Sequence, residues 1–99
     1  MIDYVKEYGV TDLDFEYIMN NLNRDIIDNM ILSEPNVREV LSYYNKIGIK
    51  ENVAKIIVTR PDLILISRKK LEELLSNIDL EILKNMIEKD IEDLIILGI

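Results

Sequence analysis

Residues 48–67 read GIKENVAKIIVTRPDLILIS. The stretch is apolar enough for a protein interior, yet Pro61 stands in its middle. A strand pair, a broken helix and one unit of a repeated element all compete for it. Period-two alternation is confined to DLILI (residues 62–66), which is too short and continuous to build a sheet, whereas Val53, Ile56 and Ile57 fall at helical spacing. Pro61 disfavours helical geometry at Arg60. The spacing therefore predicts a helix from Glu51 or Asn52 to about Thr59, then a buried 3-10 turn or extended stub over PDLILI. Ser67 is placed to cap the next helix, with Leu71, Leu74, Leu75 and Ile78 on its face.

The same punctuation extends in both directions. Thr11 or Asp12 can cap a helix reaching about Leu22, with Leu13, Tyr17, Ile18 and Leu22 on its inner side. Asn23 can cap a short helix with Ile26, Ile27, Met30 and Ile31 as its stripe. Ser33 then opens a helix that carries Pro35 in its first turn, where a missing N–H is harmless. Its face is Val37, Val40, Leu41, Tyr44 and Ile47, and Gly48 followed by Ile49 has the form of a left-handed C-cap. Asp79 can cap a longer last helix with Leu83, Met86, Ile87, Ile91, Leu94 and Ile95, ending at Gly98. Residues 1–99 thus read as one all-α domain, a compact array of about six or seven short helices with helical-repeat, solenoid-like packing and a 3-10 turn after Pro61.

An internal echo supports repetition. With the prolines aligned, IIDNMILSEPNV (residues 26–37) lies over NVAKIIVTRPDL (residues 52–63), and apolar residues coincide at Ile27/Val53, Met30/Ile56, Ile31/Ile57, Leu32/Val58 and Val37/Leu63. NKIGI (residues 45–49) echoes ILGI (residues 96–99). With Gly48, Ile56, Ile57, Pro61, Leu63, Ser67, Leu71 and Leu74 in view, residues 47–75 resemble a repeat of the mitochondrial transcription termination factor family, and a poorer unit surrounds Pro35. The resemblance implies a curved right-handed solenoid of helix–turn–3-10 units that binds nucleic acid along a basic concave surface. This chain is shorter than that family's arrays, is acidic, and shows no organelle presequence.

Charge is unevenly distributed. The formal net charge is −7. Residues 46–70 nevertheless carry Lys46, Lys50, Lys55, Arg60, Arg68, Lys69 and Lys70 against only Glu51 and Asp62. Acidic residues dominate both flanks, nine to three over residues 1–45 and eight to two over residues 71–99. The basic island is either a solvated face paired with neighbouring carboxylates or an anion or nucleic-acid contact patch. Tyr43 and Tyr44 precede it, and aromatics beside cations suit base stacking, although Tyr44 also fits the buried stripe.

Catalytic chemistry finds little to work with. The chain has no Cys and no His, which removes thiol nucleophiles, zinc–thiolate sites and the commonest general base. Its serines have no histidine to activate them. Asp12, Asp14 and Glu16 alternate as in a calcium loop, but Tyr17 and Asn23 stand where the loop needs Gly and Glu, so these acids read as helix-start residues. No cofactor, metal or small-molecule substrate is implied. The longest apolar runs have four residues, against the roughly 18 of a membrane span, and the N-terminus lacks signal-peptide form; a cytoplasmic protein is expected. The function expected is a non-catalytic helical interaction domain, binding a protein partner or itself through Leu94, Ile95, Leu97 and Ile99. The alternative is a nucleic-acid-binding module built on residues 46–70.

Overall fold

A computed structural model describes residues 1–99, and every regular element in it is helical. The order is η1 (Asp3–Tyr8, 3-10), α1 (Asp12–Asn21), α2 (Arg24–Leu32), α3 (Glu34–Lys46), α4 (Val53–Thr59), α5 (Asp62–Leu65), α6 (Arg68–Leu75), α7 (Leu80–Lys89) and η2 (Ile91–Leu97, 3-10). The radius of gyration is 12.6 Å, close to the ~13 Å of a single packed body of about 100 residues.

Local side-chain chemistry sets most of the boundaries. Thr11 and Asp14 form a reciprocal capping box at the start of α1. Asn23, Ser67 and Asp79 accept from backbone N–H groups at the starts of α2, α6 and α7. Ser33 is the single joint between α2 and α3, though its side chain makes no capping bond. The segment after Pro61 is one α-helical turn, not the expected 3-10 turn or stub. Its entry bonds do span three residues, Leu63 N–H to Arg60 O and Ile64 N–H to Pro61 O, before Leu65 and Ile66 settle into four-residue bonds. The two prolines stand at unlike joints. Pro35 lies inside the first turn of α3 and Pro61 caps α5.

Three further departures have physical causes. Residues 3–8 form η1, whose six residues are too few to display a period, yet Ile2 and Val5 are fully buried. The expected long last helix breaks at Asp90, where φ −141° and ψ 51° separate α7 from η2 without help from Pro or Gly. Helix α1 is rotated from its expected face. Ile18 is its buried residue, Phe15, Met19 and Leu22 lean on the core, and Leu13 and Tyr17 face outward.

The core comprises 22 residues, all hydrophobic, with no buried charged side chain. Helices α3 and α4 run through its centre. Helix α3 packs on η1, α2, α5 and α6, and α4 packs on α1, α5 and η2. Three of these contacts, η1 with α3, α1 with α4 and α3 with α6, join elements three apart in the chain order. Two buried tyrosines lock the joints. Tyr4 Oη donates to Met30 O at 2.6 Å and Tyr44 Oη donates to Leu63 O at 2.9 Å. Asn45 Nδ2 donates to both Tyr8 O and Ile49 O at 3.0 Å, tying two helix ends together.

Burial pushes the Tyr4 hydroxyl up to about 12, and the nearby Glu34 charge acts the same way. Burial raises Tyr44 further. Each folded value exceeds the unfolded one near 10, so the stabilisation is complete below about pH 10 and is lost as pH climbs through the folded values. Thermal melts should therefore fall off above about pH 10. Paired Tyr4→Phe and Tyr44→Phe changes should lower stability at neutral pH by about 1 kcal/mol each, from the lost hydrogen bonds, and flatten the alkaline decline. An equally steep decline in the double variant would place its cause elsewhere.

Gly9 and Gly48 both need left-handed backbone, with φ of 101° and 92°. A Cβ on Gly9 would lie 2.5 Å from the backbone oxygen of Lys50, whereas on Gly48 it would meet the mobile Lys84 Nζ at 2.7 Å. Both alanine variants carry the left-handed cost of about 1–2 kcal/mol. Gly9→Ala should lose more than Gly48→Ala, because a backbone contact cannot swing aside; denaturant midpoints provide the comparison.

Candidate interaction site

The seven cations of the basic island divide by what they touch. Lys55 on α4 donates through Nζ to the carbonyl of Glu88 near the end of α7. Arg60, at the α4–α5 joint, makes a two-pronged pair with Asp62 at 3.0 and 2.9 Å, and its Nη2 also donates to Ile99 O at 3.0 Å. That pairing raises the guanidinium's pKa and lowers that of Asp62. Arg68 opens α6, reaches Glu72 at 3.5 Å and lies 5.6 Å from the centroid of the Tyr43 ring. These three hold the fold together.

Lys46, Lys50, Lys69 and Lys70 are exposed and make no ion pair. They are distributed over the end of α3, the loop after it and the first turn of α6. The cation with the most partners lies outside the island, where no pattern of neighbouring charges marks it. Arg38 on α3 pairs with Glu34 at 2.8 Å and Glu7 at 3.0 Å and covers the Tyr4 ring at 5.1 Å, fastening η1 to α3. Its hydrogen bonds to Glu7 and Glu34 raise its pKa.

The calcium-like run is also structural, since Asp14 serves the capping box and Asp12 pairs with Lys6 at 3.1 Å. A cleft of about 330 Å³ lies between the Gly48–Asn52 loop and α7, bordered by Lys50, Glu51, Lys84 and Glu88. Its charges balance, and it is open to solvent. No helix is long and apolar enough to cross a membrane.

The apolar surface is distributed differently. No large hydrophobic residue from Ser33 to Asp79 is exposed; the exposed ones are Met1, Leu13, Tyr17, Ile31 and Leu32 before that span, and Leu80, Ile82, Ile95 and Ile96 after it. Of the four residues proposed for association, Leu94 is corrected: it is 1% exposed and belongs to the core. Leu97 and Ile99 are half-buried against that core. Ile95 projects at 73% exposure, and beside it Ile96 at 74%, which the reading of the sequence left out.

A tetrad pattern in the sequence accompanies part of this arrangement. MILS (residues 30–33), ILIS (residues 64–67) and LIIL (residues 94–97) end α2, α5 and η2 or follow directly. The first residue of each, Met30, Ile64 or Leu94, is buried. The next two residues are half-covered only in the middle copy, at Leu65 and Ile66, where Asn36 of α3 donates to the Ile66 carbonyl at 2.9 Å. The first two tetrads could have been found in the sequence by aligning Ser33 with Ser67 in place of the prolines; the third has Leu97 at that position.

Compared with family models, curated proteins and solved structures, the chain matches none.

Arg60 carries the side-chain hydrogen bond to the segment just after η2, at Ile99 O. In Arg60→Ala the amides of η2 should exchange hydrogen roughly tenfold faster, equivalent to about 1.4 kcal/mol of local stability, while those of α3 keep their protection. Unchanged exchange in η2 would mean that apolar packing of Ile91, Leu94 and Leu97 anchors it without Arg60.

Proposed function

We propose that this chain is a non-catalytic helical-repeat interaction domain that binds protein through the apolar ends of its array, above all through Ile95 and Ile96. The observation carrying this reading is the partition of exposed apolar residues. The middle of the chain exposes no large one, and both ends do. Contiguous apolar surface rimmed by charge is characteristic of a docking face, and the units at the ends of a repeat array need a polar cap or a partner. Packing between elements three apart, together with the tetrads, supports a repeat of three helical segments. That pattern suits the resemblance to the transcription termination factor family.

A nucleic-acid-binding module on residues 46–70 is the weaker reading. Three of its seven cations are engaged inside the fold, and the four exposed lysines are spread over separate elements.

A photo-crosslinking residue placed at Ile96, in the cells that make the protein, should give a discrete protein adduct. The same residue at Glu73, on the exposed side of the middle of the chain, should give none. Equal yields at the two positions, or no adduct at Ile96, would remove the reading.

A further inference from the structure

Helices α3 and α4 form the centre of the fold, and every other element except α7 packs on one of them; α7 packs on η2. Its hold on the interior is by reach. Leu83 and Ile87 are its buried residues, while Leu80, Glu81, Ile82, Asn85, Glu88 and Lys89 are exposed. The helix also stands off the body of the molecule. The cleft of about 330 Å³ separates it from the Gly48–Asn52 loop, with Ile49 and Ile87 in the wall. A second cleft, of about 230 Å³, lies between Lys55 and residues 89–93. Lysines bridge the gaps: Lys55 donates from α4 to the Glu88 carbonyl, and the Lys84 ammonium lies over Gly48. Both ends of α7 are exposed joints. Ser76, Asn77 and Asp79 precede it, and Asp90 follows it with φ −141° and ψ 51°. Past Asp90 the chain is fixed again, since η2 packs on α4 and buries Leu94, and Arg60 holds Ile99 O.

We infer that α7 is a hinged flap, released as a unit by turning at residues 76–79 and at Asp90, while η2 and the α3–α4 centre stay folded. Segments with few buried apolar side chains open at lower free energy than the core. Opening uncovers Leu83, Ile87 and the Ile49 wall of the cleft, so an apolar face is bared without global unfolding. The open state is also chemically visible. Isolated helices shorter than about 12–15 residues are marginal in water, and α7 has ten residues. It therefore loses its own hydrogen bonds once it leaves the body, and its amides report the opening. The inference stands apart from the interaction reading, because opening is a property of the chain alone.

Native-state hydrogen exchange on the full chain, at denaturant concentrations below the unfolding transition, tests this. The amides of residues 84–89 should exchange as one group, roughly a hundredfold faster than those of α3. Their denaturant slope should be smaller, because the opening exposes less surface than global unfolding. The amides of η2 should exchange more slowly than those of α7. Lys55→Met should speed α7 by a further factor of roughly five to ten, the loss of one hydrogen bond, and leave α3 unchanged. Thiol labelling gives a second reading that fraying does not mimic. The chain has no Cys, so Ile87→Cys and Ile57→Cys each place a single thiol at a buried position. With thermal melts checking that both variants fold, the first should react about tenfold or more faster than the second. The inference is overturned by equal rates and slopes in α7 and α3, by protection in α7 that fades gradually from its ends, by α7 and η2 opening at one rate with one slope, or by equal labelling at the two positions.

Discussion

The longest of the seven α-helices has thirteen residues and the shortest four, and isolated helices below about 12–15 residues are marginal in water. Lateral burial must therefore hold each one in place. The chain provides for this with 18 isoleucines and a single alanine, so even a seven-residue helix such as α4 can bury four side chains. Short helices leave little room for a polar face on the central elements. On α4 the single charged side chain is Lys55, whereas the longer α3 keeps Glu34, Arg38, Glu39 and Lys46 out of the core, and every buried residue of the molecule is apolar or a tyrosine.

Apolar burial is non-directional, and an isoleucine-rich interior could settle in several registers. The long-range polar ties supply direction. A helix leaves its last four carbonyls without intrahelical partners, and short helices have a high proportion of such groups. Tyr4 donates to Met30 O, Tyr44 to Leu63 O, Asn36 to Ile66 O, Asn45 to Tyr8 O and Lys55 to Glu88 O, each at or just past the end of a helix. One kind of contact, a side chain from one element closing the carbonyl end of another, recurs through the molecule. It fixes which end lies where while leaving the apolar core undisturbed, and no buried side-chain polar atom is left unsatisfied.

The legible parts of this fold were those written within a few residues. Thr11, Asn23, Ser67 and Asp79 cap their own N–H groups, and Gly48 ends α3 in the left-handed region with Ile49 N–H bonded to Tyr44 O. The face of α1 was misread because it has apolar residues on two flanks, and only tertiary contact decides that Phe15, Ile18 and Met19 turn inward while Leu13 and Tyr17 do not. The break at Asp90 was missed because Asp90 is neither proline nor glycine. Its conformation resembles that of Arg60, φ −135° and ψ 66°, where Pro61 did announce the stop. At the candidate site Ile95 was legible from its apolar context. Leu94 was not separable from it, since adjacent residues of a 3-10 turn point in different directions.

The basic island shows how a pattern in sequence can lose its apparent meaning on folding. Charges adjacent along the chain are separated once short helices turn between them, and long cationic side chains also serve as reach. Lys55, Arg60 and Arg68 extend across joints to a carbonyl, a carboxylate and the chain's last residue, or a tyrosine ring. Between residues 46 and 70 the chain turns three times, from α3 to α4, α4 to α5 and α5 to α6, so the bases crowded in the sequence sit on different elements of the fold. The acidic excess lies on the flanking segments, and these also carry the exposed apolar residues. A net negative charge around such faces opposes indiscriminate clustering, so any partner must bring enough apolar area to overcome it.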